Sequence, residues 1–206
     1  MSKGTAPLLT NRRVDRVLAF DFGRSAGWGC VDREGALVGA GNWTIPTTRS
    51  ARTGRKTMPD EEREHPGREL REHQIKMSDV LWRVKPSHLV FSFQVGRGNS
   101  AEVVKKHGEY RGILRLMTYA HPCGIYSFGE WAIKATAAGY GAWVNGRWMR
   151  DPKQKSRKMD KTAMMHEAMH RWGADAVDES EDQADACWCA ETGRILLLAG
   201  EVLTGP

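Results

Sequence analysis

Cysteine is scarce in this sequence, and its arrangement indicates neither disulfides nor a zinc site. The four cysteines, Cys30, Cys123, Cys187 and Cys189, form no CxxC pair and no metal-ligand spacing with the seven histidines. A disulfide framework and a zinc centre are therefore excluded as organising features. We expect a reduced, intracellular protein.

Long apolar runs are also lacking. The first residues, MSKGTAPLLTNRRVDR, contain no apolar core of the kind that a secretion signal needs. The longest apolar run near the other end, Ile195 to Ala199, is too short to cross a bilayer. We expect a cytoplasmic protein without membrane contact, with a flexible tail at 1–15 and one folded domain at 16–200.

Positive charge is in excess. Lysine and arginine number 31 against 25 acidic residues, which gives a formal net charge of +6 and a pI near 9.3. This balance favours a polyanionic partner, and nucleic acid is the leading candidate.

Three apolar stretches open the chain as predicted strands. Val17 to Phe20 is a buried strand, and Gly27 to Asp32 and Ala36 to Trp43 follow it around a turn at Gly35. Short connections of this kind predict an antiparallel meander.

Strands and helices then alternate. A helix from Arg68 to the residue before Pro86 precedes a strand at Leu89 to Phe93, and both are separated from the meander by a basic loop at 45–67. The later predicted elements are a helix capped by Asn99 or Ser100 and reaching about Tyr119, a strand at Ile125–Phe128, and helices at Lys161–Trp172 and Asp182–Leu198. The pattern predicts a mixed α/β fold.

Three acids have a pattern that suits divalent cations. Asp21 ends the first predicted strand, next to flexible glycines, where α/β sheets place their ligands. Asp182 and Asp185 are three residues apart and share one helical face, beside small residues that we expect to be buried. A solvated acidic pair is the plain alternative. A Mg²⁺ pair would relieve the repulsion between these carboxylates.

These segments resemble a known family. "VLAFDFGRSAGWGCV" resembles the first strand and turn of the RuvC-type Holliday junction resolvases, in the RNase H-like superfamily. "DQADACWCA" resembles the last helix of that family, and "KPSHLVF", "HGEYRG" and "WAIKATAAGYG" with "MDKTAMM" match segments between them. The resemblance covers about Val17 to Ala190 and implies an RNase H-like fold, with a mixed five-stranded sheet flanked by helices.

The resemblance also implies a mechanism and partners. It implies a structure-selective endonuclease that resolves four-way or other branched DNA with two Mg²⁺ ions, for which Mn²⁺ can substitute. Asp21 would bridge the ions, Asp182 and Asp185 would each complete one side, and Lys161 would steady the phosphate. A homodimer is implied by the two-fold symmetry of the substrate. The compact chain and its insertion favour a phage-encoded member.

One position departs from the family pattern. The resemblance calls for a catalytic Glu at the end of the fourth strand, but the spacing from Pro86 leads to Ser92, and Gln94 is the chemically closest residue nearby. Either residue can hold the vacant ligand position, because both alternate onto one face of a strand. The sequence leaves open which residue it is and whether the change is natural or engineered. The alternative function is a junction-binding protein with the nuclease fold and no turnover.

The remaining predicted DNA contacts lie between the strand at Ile125–Phe128 and the last two predicted helices. Lys134, Gly139 and Gly141 match the family's loop that approaches the phosphate backbone. An inserted basic β-hairpin at about 140–158 is predicted from Asn145-Gly146, a type I′ turn signal. Its candidate DNA-binding residues are Trp143, Arg147, Trp148, Arg150, Lys153, Lys155, Arg157 and Lys158. A hairpin whose tryptophans pack on the protein body is the alternative.

Overall fold

The computed structural model describes residues 13–22, 25–45, 67–93, 101–121, 123–139, 142–144, 147–149, 160–177 and 180–200. The strands in this part of the chain are β1 (Arg16–Asp21), β2 (Ser25–Asp32), β3 (Leu37–Thr44), β4 (His88–Phe93), β5 (Gly124–Gly129), β6 (Ala142–Val144) and β7 (Arg147–Met149). The helices are α1 (Arg68–Val84), α2 (Ala101–Ala120), α3 (Glu130–Ala137), α4 (Lys161–Trp172), α5 (Ala174–Val177) and α6 (Glu181–Leu198).

Five strands form one mixed sheet in the order β3-β2-β1-β4-β5. The first three strands are an antiparallel meander, while β4 runs parallel to β1 and β5 runs parallel to β4. The predicted mixed five-stranded sheet is confirmed. Strand β1 lies at its centre because Val17 to Phe20 are apolar on both faces and are all buried.

Alternation along β1 divides the core into two layers. Leu18 and Phe20 pack in a cluster with α1 and α2, whereas Val17 and Ala19 pack in a cluster with α3, α4 and α6. Asp21 continues the series of Val17 and Ala19, so its side chain belongs to the face that α6 covers.

Helix α6 lies unusually close to β2 because glycine replaces side chains at the contact. A Cβ on Gly27 would stand 2.0 Å from the carbonyl oxygen of Asp182, and one on Gly29 would stand 2.6 Å from Cα of Cys187. The small helix residues that meet the sheet, Ala184, Ala186, Cys187 and Ala190, are all buried. The predicted small-residue face is therefore confirmed, with the sheet contributing glycines of its own.

The far half of α6 is held by a buried ionic cluster. Glu191 accepts hydrogen bonds from Arg171 of α4 and from Arg194 one turn further along α6. Arg194 also donates to the carbonyl of Arg33, at 2.9 Å, in the turn between β2 and β3. Because Glu191 is buried, this carboxylate depends on both partners, and together they tie α4, α6 and the meander to one another.

The main predicted helices are observed, with one correction. Helix α4 has the predicted bounds, and α6 begins at Glu181 behind a Ser180 cap, one residue before the predicted start. Lys134, which we expected in a loop, lies instead within α3. Gly139, one of the glycines that suggested a loop, adopts a left-handed φ of 63° just after this helix and helps to end it. The short helix α5 was not predicted.

The predicted hairpin is observed through its two strands. β6 and β7 pair antiparallel, with Trp143 opposite Trp148 and Val144 opposite Arg147. The turn residues Asn145 and Gly146 lie outside the described residues, as do the predicted contacts Gly141, Arg150, Lys153, Lys155, Arg157 and Lys158. The DNA-binding role of the hairpin therefore stays a prediction.

The cysteines form no disulfide among the described residues. All four cysteines are free and buried, and burial raises the pKa of Cys30 and of Cys187 to about 12, so these thiols stay protonated. Among the described helices, none combines the length and the apolarity that a membrane crossing would take.

The close contact between α6 and β2 makes Gly27 a sensitive position. We expect Gly27→Ala to lower the free energy of unfolding by about 3 kcal/mol, because the new methyl group overlaps the backbone of Asp182. Gly108→Ala in α2 is the matched control: its methyl group would meet nothing within 4 Å, so better helix propensity should raise stability by up to about 1 kcal/mol. Urea unfolding measures both, and equal effects would contradict this account of the packing.

Candidate active site at the end of strand β1

The carboxyl end of β1 and the first turns of α6 form a cluster of carboxylates. Asp21 is paired across the meander with Gly27, and the backbone of Asp182 lies where a Gly27 side chain would be. Asp185 follows one turn along α6, with its side chain only 20% exposed. The tight helix–sheet contact thus brings residues from both ends of the chain to one edge of the sheet.

Lys161, the first residue of α4, extends its ammonium group among these acids. Its Nζ is 3.7 Å from Oδ1 of Asp182 and 3.4 Å from Oδ2 of Asp185. Burial lowers the pKa of Lys161, but the carboxylates of Asp185, Asp21 and Asp182 raise it more, so the net change is upward. Lys161 is therefore a firmly charged cation that partly neutralises the cluster.

Burial and mutual repulsion dominate the electrostatics of the acids. The pKa of Asp21 is raised to about 7, mainly by burial and then by the charges of Asp185, Asp182 and Glu130, with Lys161 acting in the opposite direction. Burial likewise raises the pKa of Asp185, again against the influence of Lys161. Such a cluster favours a bound cation because a cation would stabilise the charged carboxylates.

Two polar atoms at this edge are buried without a hydrogen-bond partner. One is Oδ1 of Asp185 and the other is Oγ of Ser92. Phe20 of β1 pairs with Phe91 of β4, so the next residues of the two strands, Asp21 and Ser92, lie side by side. Because side chains alternate along a strand, both point to the face that α6 covers. Ser92 therefore lies beside Asp21 near the end of β4, where the family resemblance calls for a Glu, and which of Ser92 and Gln94 holds that position stays a prediction. Gln94, the alternative, is outside the described residues.

The donor atoms suit Mg²⁺, although their present arrangement is not that of a metal shell. Carboxylates are the hard ligands that Mg²⁺ prefers, and Oδ1 of Asp185 is a buried acceptor that nothing in the protein satisfies. Within the described ranges, no three His, Cys, Asp or Glu side chains converge closely enough to hold an ion. The ammonium of Lys161 lies among them instead, so binding a divalent ion requires these side chains to adjust.

The predicted phosphate-contacting residues lie nearby in the fold but outside the acid cluster. Lys134 projects from α3 and forms an ion pair with Glu130, one turn earlier. Gly139 is exposed just beyond the end of that helix. The structure therefore brings together Asp21, Asp182, Asp185 and Lys161. Lys134 lies outside this group, on α3.

Sequence reasoning missed Glu130. This acid follows β5 directly, as the first residue of α3, and its charge contributes to the raised pKa values of both Asp21 and Asp185. A signal was available, because an acid immediately after a buried strand is the same pattern that singled out Asp21.

Helix α2 contributes Tyr110, Ile113, Leu114 and Met117 to the core. Tyr110 is buried, stacks on Phe22 with ring centroids 4.9 Å apart, and donates a hydrogen bond to Glu69. His107 is half-buried, and burial lowers its pKa. Tyr110 therefore stabilises the layer of α1 and α2 beneath the end of β1.

Comparison with known proteins shows which solved structures share this fold. No protein-family model matches the chain, and no curated protein matches it. A structure of Thermus thermophilus RuvC in complex with a Holliday junction substrate matches with a TM-score of 0.63 at 18% identity, covering 90% of this chain and 97% of RuvC. A second Thermus thermophilus RuvC structure gives a TM-score of 0.61 at 18% identity over the same shares.

A more distant match has the same architecture. Ydc2, the yeast mitochondrial Holliday junction resolvase, gives a TM-score of 0.52 at 12% identity, covering 93% of this chain and 83% of Ydc2. At these identities the likeness concerns the fold. The chain therefore has a RuvC-like RNase H fold, as the sequence predicted.

The raised pKa of Asp21 predicts a pH-dependent gain in stability for Asp21→Asn in a metal-free buffer with chelator. Because the folded pKa of about 7 exceeds the ordinary 3.8, the native state keeps a proton that the unfolded chain loses, and stability falls as the pH rises through 7. Asparagine removes this cost, so the increase in the free energy of unfolding that Asp21→Asn causes should be larger at pH 8 than at pH 5. We expect about 1 to 2 kcal/mol at pH 8, since the carboxyl keeps some solvent contact. A gain that is equal at both pH values in urea unfolding would contradict the assignment.

Proposed function

We propose that this protein is a Mg²⁺-dependent, structure-selective endonuclease that cuts four-way junctions or other branched DNA. The observation that carries the proposal is that Asp21, Asp182 and Asp185 lie within electrostatic range of one another, around Lys161, at the end of the central strand of a RuvC-like fold. RuvC itself is described in complex with a Holliday junction substrate, which supports the same class of substrate here.

Each member of the cluster has a role that follows from its chemistry. Asp21, Asp182 and Asp185 would hold Mg²⁺, which when bound activates water and stabilises the charge on the departing oxygen of a phosphodiester. Lys161 stays protonated among these acids and would turn toward the scissile phosphate as the carboxylates take up metal. Its half-exposed side chain leaves room for that movement.

The DNA-binding surface is proposed from charge and position. Lys134 on α3 and the basic residues of the β6–β7 hairpin would contact DNA phosphates, and the net charge of +6 supports this. Trp143 and Trp148 are paired positions of the two strands, and their side chains would stack on bases unpaired at a branch point. A homodimer and a phage origin stay predictions that rest on the sequence alone.

One observation favours a second candidate, a junction-binding protein without turnover. The position beside Asp21 on β4 carries Ser92 where a carboxylate is expected, and its hydroxyl is buried without a partner. Loss of an anionic ligand weakens attraction for divalent ions more than it weakens contacts to the DNA backbone.

Cleavage of a fluorescently labelled four-way junction tests the nuclease. With Mg²⁺ or Mn²⁺ we expect paired nicks near the branch, and Asp21→Asn, Asp182→Asn and Asp185→Asn should each lower the rate at least about a hundredfold while junction affinity changes little. Glu181→Gln, at an exposed neighbour of the cluster, should cut normally. Binding without cleavage by the unaltered chain would favour the second candidate.

Restoring a carboxylate at β4 separates the two candidates further. If turnover is limited by the missing ligand, Ser92→Glu should raise the cleavage rate by about tenfold or more, whereas Gln94→Glu should do so only if that residue holds the position. The same junction assay measures both variants. Thermal unfolding must show that each variant folds, because Ser92 Oγ is a buried atom.

A further inference from the structure

Asp21 stands between two phenylalanines whose side chains pack on the other face of the sheet. Phe20 is buried in the layer of α1 and α2, and Phe22, the residue directly after β1, is partly buried against the same layer. Alternation points the side chain of Asp21 the opposite way, to the face that α6 covers. The direction of the Asp21 carboxylate therefore depends on how firmly its two neighbours are held behind it.

Five aromatic side chains close into a cycle of contacts at this point, and we call them the aromatic cycle. Ring centroids are 5.8 Å apart between Phe20 and Phe22, and 4.9 Å apart between Phe22 and Tyr110. The cycle continues from Tyr110 to His73 at 5.0 Å and from His73 to Trp43 at 6.0 Å. It closes between Trp43 and Phe20, at 6.1 Å. The end of β1 is thus fixed to α2, α1 and β3 at once.

Two hydrogen bonds restrict the orientation of the inner rings. The indole N–H of Trp43 donates to Nδ1 of His73 at 3.1 Å, and the hydroxyl of Tyr110 donates to Oε1 of Glu69 at 3.1 Å. His73 and Tyr110 are both buried, where a polar group that loses its partner is costly. Tyr110 therefore presents a fixed flat surface to Phe22, and the two rings are nearly parallel, with 16° between their planes.

The aromatic cycle constrains the acid cluster from the side that α6 does not reach. The contact of α6 with Gly27 places Asp182 and Asp185, whereas Asp21 is carried by the central strand. A reacting group works only when it is kept within about 0.5 Å of its productive place. Holding the residues on both sides of Asp21 from behind meets that requirement.

We propose that Phe22 and Tyr110 are positioning residues, which hold the end of β1 so that the Asp21 carboxylate keeps its place for the cleavage of DNA. The inference rests on the proposed function, because it assigns both residues to the same site. They act through Asp21: stacking of Tyr110 on Phe22 fixes the backbone that carries the acid. The plain alternative is that the aromatic cycle only fills the core.

Hydrogen exchange in the full chain, without metal or DNA, tests the positioning role independently of cleavage. Tyr110→Leu removes the flat ring against Phe22, so we expect amides at the end of β1 to exchange at least about tenfold faster, beyond any change in global unfolding. Leu114→Ala is the matched control. Leu114 is a fully buried residue of the same helix that takes no part in the aromatic cycle, so its loss should raise exchange only through global unfolding.

Single-turnover cleavage of a labelled four-way junction separates positioning from binding. At a temperature where every variant is folded, Tyr110→Leu and Phe22→Leu should each lower the cleavage rate about tenfold or more, while junction affinity changes less than about twofold. Tyr110→Phe keeps the stacked ring and should cut within about threefold of the unaltered rate. Leu114→Ala should cut normally. Equal losses of rate in Leu114→Ala and Tyr110→Leu would mean that the cycle only fills the core, and would overturn the inference.

The two proposals fail in different ways. Unchanged exchange near Asp21 in Tyr110→Leu, or faster exchange without loss of rate, in a chain that cuts junctions, would overturn the positioning role and leave the nuclease intact. Faster exchange confined to the end of β1, in a chain that never cuts branched DNA, would overturn the nuclease and support the role of the aromatic cycle in holding Asp21.

Discussion

The close approach of helix α6 to strand β2 is the constraint on which the site depends. Gly27 and Gly29 let the helix backbone occupy the space of side chains, and Gly27 is the strand partner of Asp21. The contact therefore does more than fill the core, because it fixes Asp182 beside an acid that is 161 positions earlier in the chain. The buried cluster around Glu191 secures the other end of the same helix, so the acidic end cannot easily withdraw.

Gathering carboxylates in this way has an electrostatic cost, and the molecule offsets it with Lys161. The ammonium lies within 4 Å of both Asp182 and Asp185, yet Asp21 still has a raised pKa. Burial is the first cause of that raised pKa and the neighbouring carboxylates are the second, and Lys161 offsets only part of the two. Strain of this kind at the edge of a sheet is typical of sites that act on a cation or a phosphate, where stability is given up for function.

The edge of the sheet also gathers residues from neighbouring strands. Strands β1, β4 and β5 are parallel, so their carboxyl ends meet at one edge. Ser92 lies near the end of β4 and Glu130 directly follows β5, and the charge of Glu130 contributes to the raised pKa values of Asp21 and Asp185. The order of the strands therefore decides which polar side chains lie near the acids.

The sequence by itself determined most of the local structure: the strands of the main sheet, the four long helices and the paired strands of the hairpin were readable, because hydrophobic period and turn residues act over a few positions. Asp21 and the pair in α6 were recognisable for the same reason, but the short helices α3 and α5 were not. It did not reveal Glu130, and it wrongly assigned Lys134 to a loop, because glycines beyond α3 resembled a loop signal. Which residues lie beside one another at the edge of the sheet was decided only by tertiary structure, since strand order and helix packing join positions that no local pattern connects.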